Sequence, residues 1–201
     1  MPSQTKNVLV FCGHLMGNKP SFIKALHYVG QAIAEKGWRL VYGGADEGLM
    51  GTVATAAISH GGMVTGIIPG FLLDRERPMT ALEQAPHELI KTTTMAERKE
   101  MMFRMCDGII TCPGGPGTRD EFWEVVTNKQ IGVRHIPHVV LNIGGCFDPL
   151  RKDVEQMVED GFAGPDLLRL QFHDQVDTAI SALELAMLRQ ASNIVGLRTA
   201  G

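Results

Sequence analysis

A single-domain, Rossmann-like α/β fold with a doubly wound parallel sheet is predicted by three observations. Short apolar runs alternate along the chain with longer amphipathic segments. The short runs are apolar throughout, as strands must be when helices cover both faces. Two of the turns that lead from such a run into a helix are rich in glycine. A repeated strand–helix order of this kind builds a parallel sheet. At 201 residues the chain fits one domain, spanning 1–201, with a fraying tail expected from about residue 190.

In order, Val8 to Phe11 reads as a strand and Ser21 to Lys36 as a helix stopped by Gly37. Arg39 to Tyr42 is a strand, followed by a helix from Leu49 to His60. Val64 to Ile68 is a third strand, stopped by Pro69-Gly70. The proline- and arginine-bearing segment from Phe71 to His87 reads as a long loop. Glu88 to Thr93 is a fourth strand with a helix from Met95 to Met105, and Gly108 to Thr111 a fifth with a helix from Thr118 to Ile131. Val139 to Asn142 is a sixth strand, and Pro149 to Asp160 and Gln175 to Arg189 are helices.

Composition excludes several classes. The chain is 44% hydrophobic and 20% charged with a net charge of −3, which argues against a nucleic-acid coat or a polybasic membrane binder. No apolar run approaches the ~18 residues of a membrane span, and Val8 to Phe11 is too short for a signal-peptide core. Cys12, Cys106, Cys112 and Cys146 include no CxxC pair and read as reduced thiols of a cytoplasmic protein. The seven histidines show no metal-ligand spacing, and His135 and His138 around Pro137 read as a loop pair. No metal or cofactor is expected.

The strongest chemical signal is Cys112-Pro113-Gly114-Gly115-Pro116-Gly117-Thr118-Arg119-Asp120-Glu121, which follows a strand and opens a helix. Bare amides and the helix dipole favour an anion there, and glycines let it come close. Thr118 is placed to cap the helix. The plainer alternative is a tight strand–helix turn in which Thr118 and Glu121 form a capping box. The dinucleotide frame GxGxxG fails because Asp120 takes the third glycine position, and no Gly-Lys-Ser/Thr occurs. A second glycine-rich turn, Tyr42 to Gly51, also joins a strand to a helix and is either a turn or a ligand contact. Helical spacing puts Met95, Arg98, Lys99 and Met102 on one face. The two cations could neutralise a substrate anion, or be an ordinary solvated pair.

Together these segments resemble the LONELY GUY (LOG) family of cytokinin-activating phosphoribohydrolases, long mislabelled lysine decarboxylases. The family's PGGxGTxxE signature matches residues 113–121. Its YGGGxxGLMG turn matches 42–51 with Ala45 for a glycine, and its MHxRKxxM helix matches 95–102 with Ala96 for histidine. His14 stands where members usually carry serine. The resemblance runs from Val8 to Phe162.

It implies hydrolysis of the N-glycosidic bond of a nucleoside 5′-monophosphate, a cytokinin ribotide or an AMP-like one, to free base and ribose 5-phosphate. Arg98 and Glu121 would be catalytic. Gly44, Met95, Lys99, Pro113, Gly114, Gly115, Gly117 and Thr118 would bind substrate. The resemblance further implies a homodimer or larger homo-oligomer with sites near the subunit interface. A non-catalytic nucleotide-binding or carrier protein of the same fold is the alternative. No pyridoxal-phosphate lysine motif supports a decarboxylase, and the missing GxGxxG disfavours a dinucleotide-dependent oxidoreductase.

Overall fold

A computed structural model of the chain describes residues 5–73 and 77–199, with side chains described as far as Ser192. The strands are β1 (Asn7–Phe11), β2 (Arg39–Tyr42), β3 (Met63–Pro69), β4 (Glu88–Thr92), β5 (Gly108–Thr111), β6 (His138–Leu141) and β7 (Gln171–His173). They form one parallel sheet in the order β4-β3-β2-β1-β5-β6-β7. The chain builds outward from β1 to β4, then returns to place β5 on the other side of β1. That reversal opens a crevice at the carboxyl ends of β1 and β5, where ligands of such sheets bind.

Helices α1 (Pro20–Glu35), α2 (Gly48–Ser59), α3 (Met95–Met105), α4 (Pro116–Gln130), α5 (Asp148–Glu159) and α6 (Val176–Thr199) cover both faces. Alternate residues of each strand serve opposite cores. Val8 and Val10 of β1 pack with Leu26, Val29 and Ile33 of α1, Val53 of α2 and Leu183 of α6. Leu9 and Phe11 pack with Met102 and Phe103 of α3 and Val125 of α4. Val140 of β6, Phe122 of α4 and Leu150 and Val154 of α5 continue that second layer. Removing so much apolar surface from water is the main drive for the fold. Glycines in the left-handed region follow α1 and α2, at Gly37 (φ 65°) and Gly61 (φ 75°), and end each helix.

Four sequence expectations change. The three-residue β7 was not anticipated: it is short and largely polar, and its backbone pairing with β6 makes it a strand. Helix α6 runs on to Thr199, ten residues past the Arg189 end expected for it, so the described backbone beyond residue 190 is helical. The segment 71–87 is not structureless. It carries short 3₁₀ turns at Gly70–Leu72 and Thr80–Glu83, and Pro78 bridges to Ala45. Of this loop, Arg75 lies outside the described residues. Finally, His138 is the first residue of β6 rather than a loop residue, and its Nε2 lies 2.8 Å from Thr111 Oγ1.

Candidate active site

The site begins at Gly13, immediately beyond β1. Its amide donates to Pro113 carbonyl (3.0 Å), and its carbonyl accepts from the amides of Leu49 and Met50 in the first turn of α2 (3.1 and 3.2 Å). One residue therefore draws the Pro113 turn and the Tyr42–Gly51 turn to the same point. Between them is a cavity of about 130 Å³. Its wall includes Gly13, His14, Gly43, Met95, Arg98, Gly115, Gly117, Thr118 and Glu121.

The floor on the Pro113 side is the start of α4. Gly115 is the N-cap and Pro116 the first helical residue, so the amides of Gly117 and Thr118 have no intrahelical acceptor. A β-carbon added at Gly115 or Gly117 would meet no atom within 4 Å, so both present bare backbone to open space. Gly114 differs. A β-carbon there would overlap the hydroxyl of Thr118 and come within 2.9 Å of Gly13 N, so Gly114 sits where two backbone segments touch.

The expected cap is corrected. Thr118 is two residues inside the helix and buried, and it makes no capping bond. Proline's fixed φ sets the helix start at 116. The capping box at Thr118 and Glu121 is therefore absent, which leaves the Glu121 carboxyl free of the helix end. Thr94 does cap α3: its Oγ1 accepts from Glu97 N (3.1 Å), and Glu97 Oε2 accepts from Thr93 N (2.7 Å). The spacing Thr94-x-x-Glu97 carried that signal in the sequence.

Arg98 is buried at 6% exposure. Its Nε donates to Ile67 carbonyl and its Nη2 to Gly43 carbonyl, each at 3.0 Å, so the guanidinium is held across the ends of β3 and β2. Nη1 lies 3.9 Å from Met95 Sδ. Glu121 of α4 lines the same cavity. Burial pushes its carboxyl up to about 7, against the opposing pull of the Arg98 charge. A carboxyl that titrates near neutrality, beside a fixed cation and a helix N-terminus, suits proton transfer and cation stabilisation next to a bound anion.

The remaining candidates divide. Met95 lines the cavity at its rim, 37% exposed. Pro113 lies one step behind it as the acceptor for Gly13. Gly44 turns away, and a β-carbon there would press on Ile67, Ile68 and Leu89. Its neighbour Gly43 forms the wall instead; which glycine of the pair faces the cavity depends on Arg98, 55 residues distant, and spacing alone does not reveal it. Lys99 is outside the cavity lining. It bridges Asp120 (3.1 Å) and Glu124 (2.6 Å) of α4, and although burial works against the charge, those two carboxylates raise its pKa overall. Cys12 also lines the wall, and burial pushes its thiol well above the usual range.

A family model described as "Possible lysine decarboxylase" matches residues 50–184. The chain is 40% identical to the cytokinin riboside 5′-monophosphate phosphoribohydrolase of Rhodococcoides fascians over 164 residues, covering 80% of this chain and 79% of the relative. It is 37% identical to the enzyme of that name from Mycobacterium marinum (strain ATCC BAA-535 / M), covering 87% and 91% of the two chains. Among solved structures, the molybdenum cofactor carrier protein of Chlamydomonas reinhardtii superposes with a TM-score of 0.69 at 20% identity, over 92% of this chain and 99% of that one. That likeness shows a shared fold. With the family model covering most of the chain and relatives matched along most of their own length, this chain belongs to the LONELY GUY family.

Proposed function

We propose that the chain hydrolyses the N-glycosidic bond of a nucleoside 5′-monophosphate, releasing the free base and ribose 5-phosphate. Its relatives are named for that reaction on cytokinin ribotides, and a cytokinin or AMP-like ribotide is the substrate class. One observation carries the reading: Glu121 and Arg98 line the same cavity as the bare start of α4. The 5′-phosphate sits against the amides of Gly117 and Thr118, with Gly115 allowing close approach. The ribose lies over Glu121. As the bond from the anomeric carbon to the base nitrogen breaks, positive charge builds on the sugar and the ionised carboxyl stabilises it. Water adds its oxygen to the anomeric carbon and gives one of its protons to Glu121; that proton passes on to the departing base nitrogen, which restores the Glu121 carboxylate. Arg98, rigidly held, orients the sugar hydroxyls and keeps part of the Glu121 population ionised.

A cavity of about 130 Å³ is smaller than the roughly 300–1,000 Å³ of a complete small-molecule site. The sugar phosphate fills it, and the base projects past the rim formed by His14 and Met95. The exposed apolar side chains of Leu15 and Met16 follow His14 in the chain, and with Met95 they support an assembly of two or more copies near that rim. Light scattering behind size exclusion tests it, and a monomer at micromolar concentration would refute it. Among the described residues no helix is long and apolar enough to cross a membrane. A cytoplasmic location is supported by four unpaired cysteines and is tested by cell fractionation.

The deciding experiment is chromatography of a nucleotide panel incubated with wild type and Glu121→Gln. The reading expects base and ribose 5-phosphate from wild type alone. Folded wild-type protein that releases base from no nucleotide would overturn it.

A further inference from the structure

At the other end of the sheet the chain carries a second hollowed region, open to solvent. Two adjoining hollows of about 470 and 350 Å³ lie by the starting ends of β6 and β7, away from the crevice at the carboxyl ends of β1 and β5. Lys129 at the end of α4, His135, and Arg169 just before β7 line both hollows. Arg189 of α6 lines the smaller one. Leu167, Ile136 and Ala186 supply apolar surface.

The charge balance is one-sided. Lys129, Arg169 and Arg189 face the hollows, and Asp166 is the single carboxylate in the lining. Asp166 pairs with Arg169 at 3.2 Å. Among the described residues Lys129 and Arg189 have no carboxylate within ion-pair distance. Two positive charges thus remain uncompensated on a protein whose net charge is −3.

An independent observation comes from His138. His138 is one of the residues lining the smaller hollow, and its Nδ1 is sequestered from solvent with no hydrogen-bond partner. Its Nε2 is held by Thr111 Oγ1, which fixes the ring. A buried polar nitrogen without a partner is costly, and it leaves the wall of the smaller hollow incompletely satisfied beneath the cations.

From these features we infer that the cavity is a second ligand site, taking a phosphate monoester. The dianion matches the two uncompensated charges, and Arg and Lys are its usual partners. The hollows hold more than a bare phosphate, and the apolar lining faces the organic part.

The test is an amide NMR titration of the full chain with ribose 5-phosphate, inorganic phosphate and acetate in parallel. Ribose 5-phosphate is expected to shift two separate sets of amides saturably, one at residues 113–118 and one across residues 129–138 and 164–171. In the second set it binds more tightly than either other anion. Lys129→Ala/Arg189→Ala weakens that set at least about tenfold, the response expected from losing charge-assisted contacts. The first set, and base release by the catalytic site, stay unchanged in the variant. Lys129→Ala alone gives a smaller loss and guards against misfolding of the double variant. No saturable second set up to about 10 mM, a concentration that reaches even weak sites, overturns the proposal. So does equal binding of acetate or inorganic phosphate, or a second set indifferent to both variants. Loss of the first set or of turnover in wild type would count against the catalytic reading alone.

Discussion

Arg98 and Gly43 occupy one joint position: Nη2 of Arg98 donates to the Gly43 carbonyl at 3.0 Å, and a β-carbon on residue 43 would overlap that same nitrogen. The guanidinium is held in place because residue 43 has no side chain. Met50 Sδ would lie 2.6 Å from the same β-carbon, so the backbone there has little freedom to retreat. Gly43→Ala should therefore expel the guanidinium from its seat. Turnover is expected to fall by at least about 100-fold, the scale for losing a preorganised electrostatic group, and stability by about 1–3 kcal/mol from overpacking. Steady-state rates with thermal melts check both. An active, fully stable Gly43→Ala would show that Arg98 is not fixed by this contact.

Glu121 should impose a pH dependence on activity and on stability, with opposite directions. Its folded pKa is raised from 4.5 to about 7, so between those values the native state binds more protons than the unfolded one. Its contribution to stability is fully present below about pH 4.5 and is lost as pH rises through 7. The loss amounts to at most about 3 kcal/mol. His138 acts oppositely: burial, aided by Lys129, lowers its pKa to about 3, so stability is lost as pH falls below its ordinary value of 6.5. The two effects overlap and partly cancel in wild type. The difference between wild type and Glu121→Gln isolates the carboxyl, and the variant should become the more stable of the two above pH 7. Activity in wild type should rise through an apparent pKa near 7 as the carboxylate forms. Denaturant melts and kcat/KM measured from pH 5 to 9 provide both profiles.

The sheet was legible because its strands are continuous apolar runs, and residues such as Val8 to Phe11 feed two different cores at once. The Pro113–Thr118 turn and Glu121 were legible as one contiguous motif, and residues of both line one cavity. What escaped depends on contacts remote in sequence or on local priority. Lys99 reads as a cation beside the site, yet its partners Asp120 and Glu124 lie on another helix. Gly43 and Gly44 look alike until Arg98 is placed. Thr118 reads as a cap only if Pro116 is ignored, although a proline at the first helical position was itself a visible start signal. Strand β7 is three residues long and owes its existence to β6.

Gly115 offers a separation of binding from folding. Its φ of −90° is open to any residue, and a β-carbon there meets no atom within 4 Å. Gly115→Ala should leave the melting temperature within about 2 °C of wild type, as expected where no contact is lost. In the proposed binding mode the added methyl enters the space taken by the phosphate, so KM for a nucleoside monophosphate should rise at least about tenfold. Discrimination against the unphosphorylated nucleoside should narrow by a similar factor, because that substrate never used the amides. A change confined to kcat would move the phosphate away from this turn.

Lys99 lies outside the cavity lining and influences Glu121 through its charge. It pairs with Asp120 and Glu124, and its ammonium also helps hold the Glu121 proton affinity down. Lys99→Met retains the stem that covers the helix interface but removes the charge. Two carboxylates then lose their partner beside Glu121, and every remaining influence of that neighbourhood on Glu121 is repulsive toward its ionised form except Arg98. The acidic limb of the kcat/KM profile should therefore move to higher pH by up to about one unit. The plateau rate at high pH should change little, since Lys99 does not line the cavity. If Lys99 instead touches substrate, the plateau itself collapses and the limb stays where it was. Measuring kcat/KM for both proteins across the same pH range separates those two outcomes.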